Sequence, residues 1–273
     1  MGTKNIFNRF WEQYIRHNPS AGKIHDLFSG QGELVIHDHI ALRTFNDPRI
    51  NIDVVARIFT GNGYEACGEY AFRAKRLQGR HYEHMTDPDA PKVFISQLLL
   101  EHFSDALQET VRQQLDSLPE ETYRDPELIF SGSLWGKIPF PVYESLRQES
   151  EYAAWTLVYG FRANHFAIFV NTLNHFHSLQ EVNTFVKQHG FVMNNSSGSD
   201  IYGSAEELLE QSATRSEIIP FEFSDGIHEI PGCFYEFTRR YPGSDGRLYS
   251  GFIAANADKI FESTNYYSKD TMM

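Results

Sequence analysis

Hydrophobic positions near the start of the chain recur at helical spacing. Phe7, Phe10, Trp11 and Tyr14 share one face of residues 6–15, which predicts an opening helix whose aromatic side packs on a larger body. Beyond Gly30 and Gly32 the period drops to two. Val35, His37, His39, Ala41, Arg43 and Phe45 fall on one side of an extended segment, and Ile36, Asp38, Ile40, Leu42 and Thr44 on the other, which predicts a strand over 34–45. Asn46-Asp47-Pro48 supplies the turn that stops it. Residues 53–62 then read as a helix with Val54, Val55, Ile58 and Phe59 inward and Gly63 at its end, and a strand is expected from Tyr64 onward.

The same succession returns later. Asn164-His165-Phe166-Ala167-Ile168 matches Asp38-His39-Ile40-Ala41-Leu42, each a polar residue, a histidine, then apolar, alanine, apolar. A helix over 179–189 follows, with Val182, Phe185 and Val186 inward, and it ends at Gly190-Phe191 as the first ends at Gly63-Tyr64. His39 and Gly63 are 24 residues apart, His165 and Gly190 25, so the chain is expected to carry two copies of one βα unit. Further strands are expected at 82–84 and 93–100 in the first copy, and at 218–223 and 233–239 in the second. The fold class is therefore α+β, with two pseudo-repeated βαβββ modules, about 30–102 and 155–242, in a single domain over 1–273. Residues 103–150, with a helix at 105–118, a proline-rich loop and a helix at 142–148, form a helical bridge, and 243–273 a C-terminal segment. The Asn- and Ser-rich stretch 194–200 reads as a turn, and 205–211 as a short helix capped by Ser204.

Composition narrows the function. With 41% hydrophobic residues over 273 the chain can bury a substantial core, which excludes disordered and fibrous classes. Its 24 Lys and Arg against 36 Asp and Glu leave a net charge of −12, and nothing concentrates the basic residues as phosphate neutralisation requires, so no nucleic-acid partner is expected. Apolar runs such as 93–95 and 98–100 are far short of the roughly 20 residues of a membrane span. Charges throughout the first residues speak against a secretory signal, and two cysteines, Cys67 and Cys233, fit a reducing cytoplasm as buried packing residues.

With 12 histidines in the chain, position must sort them. His81 and His84, flanking Tyr82 and Glu83, are candidates for lining a cleft. His39 and His165 stand apart because each occupies the first strand of a repeat, and equivalent positions meet when two modules pair about a pseudo-twofold axis. Two imidazoles meeting in this way are half of a transition-metal site. In the segment 230–241, Phe234, Glu236, Thr238 and Arg240 share one face. A carboxylate among aromatics is costly to bury unless paired or ligating, so either Arg240 neutralises Glu236 or Glu236 completes a set of two histidines and one carboxylate. Such a set leaves positions open for substrate and O2. Arg43, four residues beyond His39 and so roughly 13 Å along an extended strand, matches the second carboxylate of a dicarboxylate substrate. An internal salt bridge is its other reading.

The segments HDHIALRTF (37–45), FRANHFAIFVNTL (161–173), LLEQSATRSEIIPFEFSDG (208–226), IPGCFYEFTRRY (230–241) and ADKIFEST (257–264) together resemble the 2-oxoadipate dioxygenase/decarboxylase family. The resemblance runs in order over most of the chain. It implies a fold similar to vicinal-oxygen-chelate proteins, in which paired βαβββ modules cup a metal. It implies that His39, His165 and Glu236 hold Fe(II) and border the substrate, that Arg43 binds the substrate for catalysis, and that Ser212 and Thr214 line the pocket. The expected reaction takes 2-oxoadipate and O2 to 2-hydroxyglutarate and CO2. Two rival readings are a Zn-dependent hydrolase or lyase built on His37 and His39, and a non-catalytic ligand-binding member of the same fold.

Overall fold

The aromatic face at the start of the chain lies on α1 (Thr3–His17), where Phe7, Phe10 and Tyr14 are all buried. Around it the computed structural model describes residues 2–196 and 198–264. Ser197 of the Asn- and Ser-rich turn, and residues 265–273 of the C-terminal segment, lie outside the described residues. After α1 come α2 (Pro19–Gly30), β1 (His37–Phe45), α3 (Ile52–Thr60), β2 (Tyr64–Phe72), β3 (Leu77–His84), β4 (Lys92–Leu98) and α4 (Asp105–Asp116). The chain continues through α5 (Phe140–Glu149), α6 (Glu151–Tyr159), β5 (Ala163–Phe169), α7 (Leu179–Gln188), β6 (Tyr202–Ser204) and β7 (Leu209–Ala213). It closes with β8 (Ile218–Phe223), β9 (Gly226–Pro231), β10 (Phe234–Arg240) and α8 (Ala254–Ile260).

Two compact units result. The first holds residues 1–13, 41–164 and 220–230, and the second 14–40, 165–219 and those from 231 onward. The strands of the first repeat lie in the order β2-β3-β4-β1 and those of the second in the order β5-β10-β7-β6. Numbered within its own repeat, each set has the strand order 2-3-4-1, so the duplication read from the sequence is present in the topology. Its punctuation is conformational: Gly63 and Gly190 close α3 and α7 at φ of +91° and +88°, where a residue with a Cβ is strained. The starts are built alike too. Asn51 accepts from the Val54 amide at the head of α3, and Ser178 from the Glu181 amide at the head of α7.

The second copy departs from expectation in its middle. Residues 205–211 are not a helix. Ser204 does accept from the Glu207 amide, as a cap would, but the chain turns at Leu208, whose φ is +63°, and returns as β7 with Leu209, Gln211 and Ala213 all buried at alternate positions. A cap next to ELLE imitates a helix start, and tertiary pairing with β6 and β10 overrides it. The expected strand at 218–223 exists as β8 but pairs with β9 in a separate two-stranded sheet, so the module's second and third strands in chain order are β6 and β7. In the second unit α2 and α7 cover one face of β10. Phe28 meets Phe176, Phe185 and Phe237 at ring distances of 5.1, 5.1 and 6.2 Å, and Ser212 donates to Asn183 of α7 at 2.8 Å. The opposite face carries the chemistry.

Candidate metal centre

β10 runs parallel to β5 with Phe234 beside His165 and Glu236 beside Ala167, and antiparallel to β7 with Thr238 beside Gln211. Neighbours across a sheet point the same way, so His165, Phe234, Glu236, Thr238 and Gln211 share a face. His165 stacks on Phe234 at 4.6 Å between ring centres. His39 completes the group. Its Nε2 is 3.3 Å from Nε2 of His165, which is 3.1 Å from Glu236 Oε2, and the three side chains form a buried cluster of potential metal donors. The sequence left two partners open for Glu236, and the structure gives it the histidines.

The carboxylate is held so that one oxygen remains available. Glu236 Oε1 accepts from Gln211 Nε2 at 2.7 Å and from the Thr238 hydroxyl at 2.9 Å and lies 3.6 Å from His39 Nε2, while the buried Oε2 takes no bond from these two donors and faces the His165 ring nitrogen at 3.1 Å. A buried carboxylate oxygen is expensive unless a donor or a cation meets it. Metal bonds of about 2.0–2.2 Å at right to tetrahedral angles set ligand atoms roughly 2.8–3.6 Å apart, a span that includes the 3.1 and 3.3 Å seen here. The residues present therefore fit a divalent ion bound by two imidazole nitrogens and one carboxylate oxygen. Charge agrees. Burial alone would raise Glu236, yet the two imidazoles hold it well below the usual carboxylate range. Burial opposes charge on His39, and Glu236 and Asp38 outweigh it, so the site favours a positive charge at that ring.

Behind His39 lies a relay the sequence did not reveal. Its Nδ1 is 2.7 Å from Asp38 Oδ2, and Arg240 grips Asp38 with two bonds, Nε to Oδ1 at 2.6 Å and Nη2 to Oδ2 at 2.9 Å. With Nδ1–H donated to Asp38, Nε2 keeps its lone pair for a metal. Arg240 Nη1 also donates to the carbonyls of Tyr249 and Gly251 at 2.8 Å each, and its backbone exchanges two bonds with Asn171. Phe252, at the end of that segment, sets its ring edge-on to His39 at 4.9 Å. Asp38 is adjacent to the ligand in HDH, a signal that could have been read as an orienting carboxylate. Gln211 stayed hidden because its segment was read as a helix.

Other predicted residues lie elsewhere. Ser212 pairs with Phe237 and projects to the α7 side, away from the donor cluster, and the Thr214 hydroxyl accepts from the Tyr235 amide at 3.0 Å. His37 is not brought to the cluster either: its Nε2 is 2.8 Å from the Tyr235 hydroxyl, and burial with the nearby His25 and His39 pushes it down to about 3. Arg43, in the first unit, is 1% exposed, 3.6 Å from Glu151 Oε1 and 4.9 Å from the rings of both Tyr152 and Trp155. Cys233 is buried as expected, but Cys67 is exposed.

Comparisons with known proteins identify relatives of this chain. A family model described as 2-oxoadipate dioxygenase/decarboxylase matches residues 8–126 and 131–247. A crystal structure from Shewanella frigidimarina NCIMB 400, whose name gives it provisionally as a hydrolase, is 46% identical with a TM-score of 0.86, over 92% of this chain and 98% of that one. The hydroxyglutarate synthase of Oryza sativa, crystallised with 2-oxoadipate, is 31% identical with a TM-score of 0.89, over 96% and 91%. A Ralstonia eutropha JMP134 protein named for the glyoxalase superfamily, 24% identical over 90% and 83% with a TM-score of 0.76, shares the fold.

Proposed function

The chain belongs to the 2-oxoadipate dioxygenase/decarboxylase family, and from that premise we propose that it is an Fe(II) enzyme converting 2-oxoadipate and O2 to 2-hydroxyglutarate and CO2. The observation that carries this reading is the convergence of His39 Nε2, His165 Nε2 and Glu236 Oε2 on one buried point. Two neutral nitrogens and one carboxylate oxygen suit Fe(II) and leave neighbouring positions for a 2-oxo acid and O2. When bound, the iron supplies the O2 chemistry, and the atoms balance: one oxygen of O2 enters the new carboxylate and the other the hydroxyl.

The chain's residues do the rest. Gln211 and Thr238 occupy Glu236 Oε1, so that Oε2 would be the oxygen offered to a metal. Asp38 accepts the His39 proton at Nδ1, so that Nε2 would keep its lone pair for a metal. Phe234 and Phe252 border the two imidazoles with apolar rings and keep bulk water from them. Arg43 is the residue we assign to the substrate's second carboxylate, since its planar fork matches a carboxylate.

The test is oxygen uptake by protein reconstituted anaerobically with Fe(II) and mixed with 2-oxoadipate. One CO2 released per O2 consumed, with 2-hydroxyglutarate as product, is expected, and His39→Ala should abolish both turnover and tight iron binding. Protein holding one equivalent of iron that consumes no O2 with 2-oxoadipate or with shorter 2-oxo acids would overturn the assignment.

A further inference from the structure

A second group of donors lies in the first unit, on strands that contribute nothing to the triad. Glu83 and His81 are two residues apart on β3 and so share a face. On β2 the register against β3 slips between Ala66 and Gly68, because Cys67 is an extra residue that the ladder must bulge around. The bulge aims the Cys67 side chain to the face occupied by His81 and Glu83, and a sulfur, a ring nitrogen and a carboxylate oxygen come within 4.8 Å of one another.

Three features make this arrangement more than a chance meeting of polar groups. His81 is 2% exposed, and its two nitrogens are committed separately: Nδ1 is 2.8 Å from the Tyr70 hydroxyl, while Nε2 is 3.0 Å from Glu83 Oε1. Glu83 can only accept, so without an ion Nε2–H donates to it and the Tyr70 hydroxyl donates to Nδ1; an ion at Nε2 takes the other tautomer, with Nδ1–H donated to the Tyr70 oxygen. Gly68 is required by that placement, since a Cβ there would come within 2.8 Å of the His81 ring and 2.9 Å of the Tyr70 hydroxyl. Cys67 is exposed, so an ion and its remaining water can enter from solvent. The thiol now donates to the Glu65 carbonyl at 3.4 Å, a contact that ends when the sulfur gives up its proton.

We propose that Cys67, His81 and Glu83 bind a Zn2+ ion, distinct from the triad's metal, that ties the bulge of the edge strand β2 to β3. One thiolate, one imidazole and one carboxylate form a borderline-soft set suited to Zn2+, with water as the fourth ligand. Binding replaces the S–H bond by an S–Zn bond and releases that proton to solvent.

Co2+ separates the two sites, because only this one offers sulfur. Titration of the metal-free full chain with Co2+ should produce the near-ultraviolet charge-transfer absorption of a Co(II)–thiolate bond. Cys67→Ser should abolish it, and Cys233→Ser should leave it. In equilibrium dialysis the wild type should bind a second equivalent of Zn2+ beyond the triad's, and Cys67→Ser and Glu83→Gln should each lose that equivalent alone while keeping the first. Absence of thiolate absorption in wild type, or an unchanged Zn2+ stoichiometry in Cys67→Ser, overturns the proposal. Cys67 is exposed, so the serine variant should fold, and circular dichroism of the variant checks this directly.

Discussion

Two buried arginines, one in each unit, are held in opposite ways. Arg240 is 2% exposed and fixed by direction: two short bonds to Asp38, two more to the carbonyls of Tyr249 and Gly251, and the Phe252 ring at 5.1 Å. Arg43, at 1%, has among its neighbours a carboxylate at 3.6 Å and two aromatic rings at 4.9 Å. Geometry of the first kind locks a side chain into the frame. Contacts of the second kind are those that the proposed substrate role of Arg43 requires. Both arginines face inward on strands of the repeat, so sequence alternation alone gives them the same standing. Their partners tell them apart.

Replacing each arginine should therefore break different things, and Arg240 should cost most. Arg240→Met strands the Asp38 carboxylate in a buried site, a loss of about 3–5 kcal/mol in unfolding free energy, readable by urea denaturation. The double variant Asp38→Asn/Arg240→Met should recover much of it, because the charge is removed with its partner. A single variant that loses less than about 1 kcal/mol would show that Arg240 is not the anchor drawn above. Arg43→Met should instead spare stability and raise KM for 2-oxoadipate by roughly 10–100-fold, the worth of charge-assisted bonds of about 1.5–3 kcal/mol. Turnover of a 2-oxo acid with a single carboxylate should change little. Asp38→Asn comes next. It keeps an acceptor for His39 but loses the charge, and should weaken Fe(II) or Co2+ binding about 10–100-fold in a direct metal titration.

How much of this was legible depends on whether local or distant contacts decide. His39, His165 and Glu236 could be picked out because the repeat and the alternation on β10 put each on a definite strand face. The two glycines at left-handed φ gave the repeat its length. By contrast, α6 has every residue from 152 to 159 buried, so it shows no polar stripe and gave no helical signal. β7 was lost to a capping pattern that its neighbours override, and Gln211 was lost with it. That Arg240 serves Asp38 and not Glu236 is a contact across 202 residues that no local pattern encodes. The exposure of Cys67 follows from a bulge, which is likewise set by pairing with β3.

The contrast between locked and loosely held charge can be sharpened from the anionic side, where the expected effect is smallest. Glu33, just before β1, is a locked carboxylate in the second unit. Its Oε2 accepts from the Asn174 amide at 2.7 Å, and its Oε1 from the His175 amide at 2.7 Å, with the His175 ring at 3.0 Å. Burial alone would raise this carboxyl, and the two amides and His175 lower it below its ordinary value. A group lowered in the folded state contributes stability above its unfolded pKa and loses it as pH falls through the folded value. Unfolding free energy should therefore decline on acidification below about pH 4.5, by about 1–2 kcal/mol from this group. Glu33→Gln, which has no carboxyl to titrate, should be less stable at neutral pH and flatten that part of the profile. An identical acid slope in the variant would mean that the backbone bonds at 174–175 hold without the charge, and that Glu33 is not locked in the sense that Arg240 is.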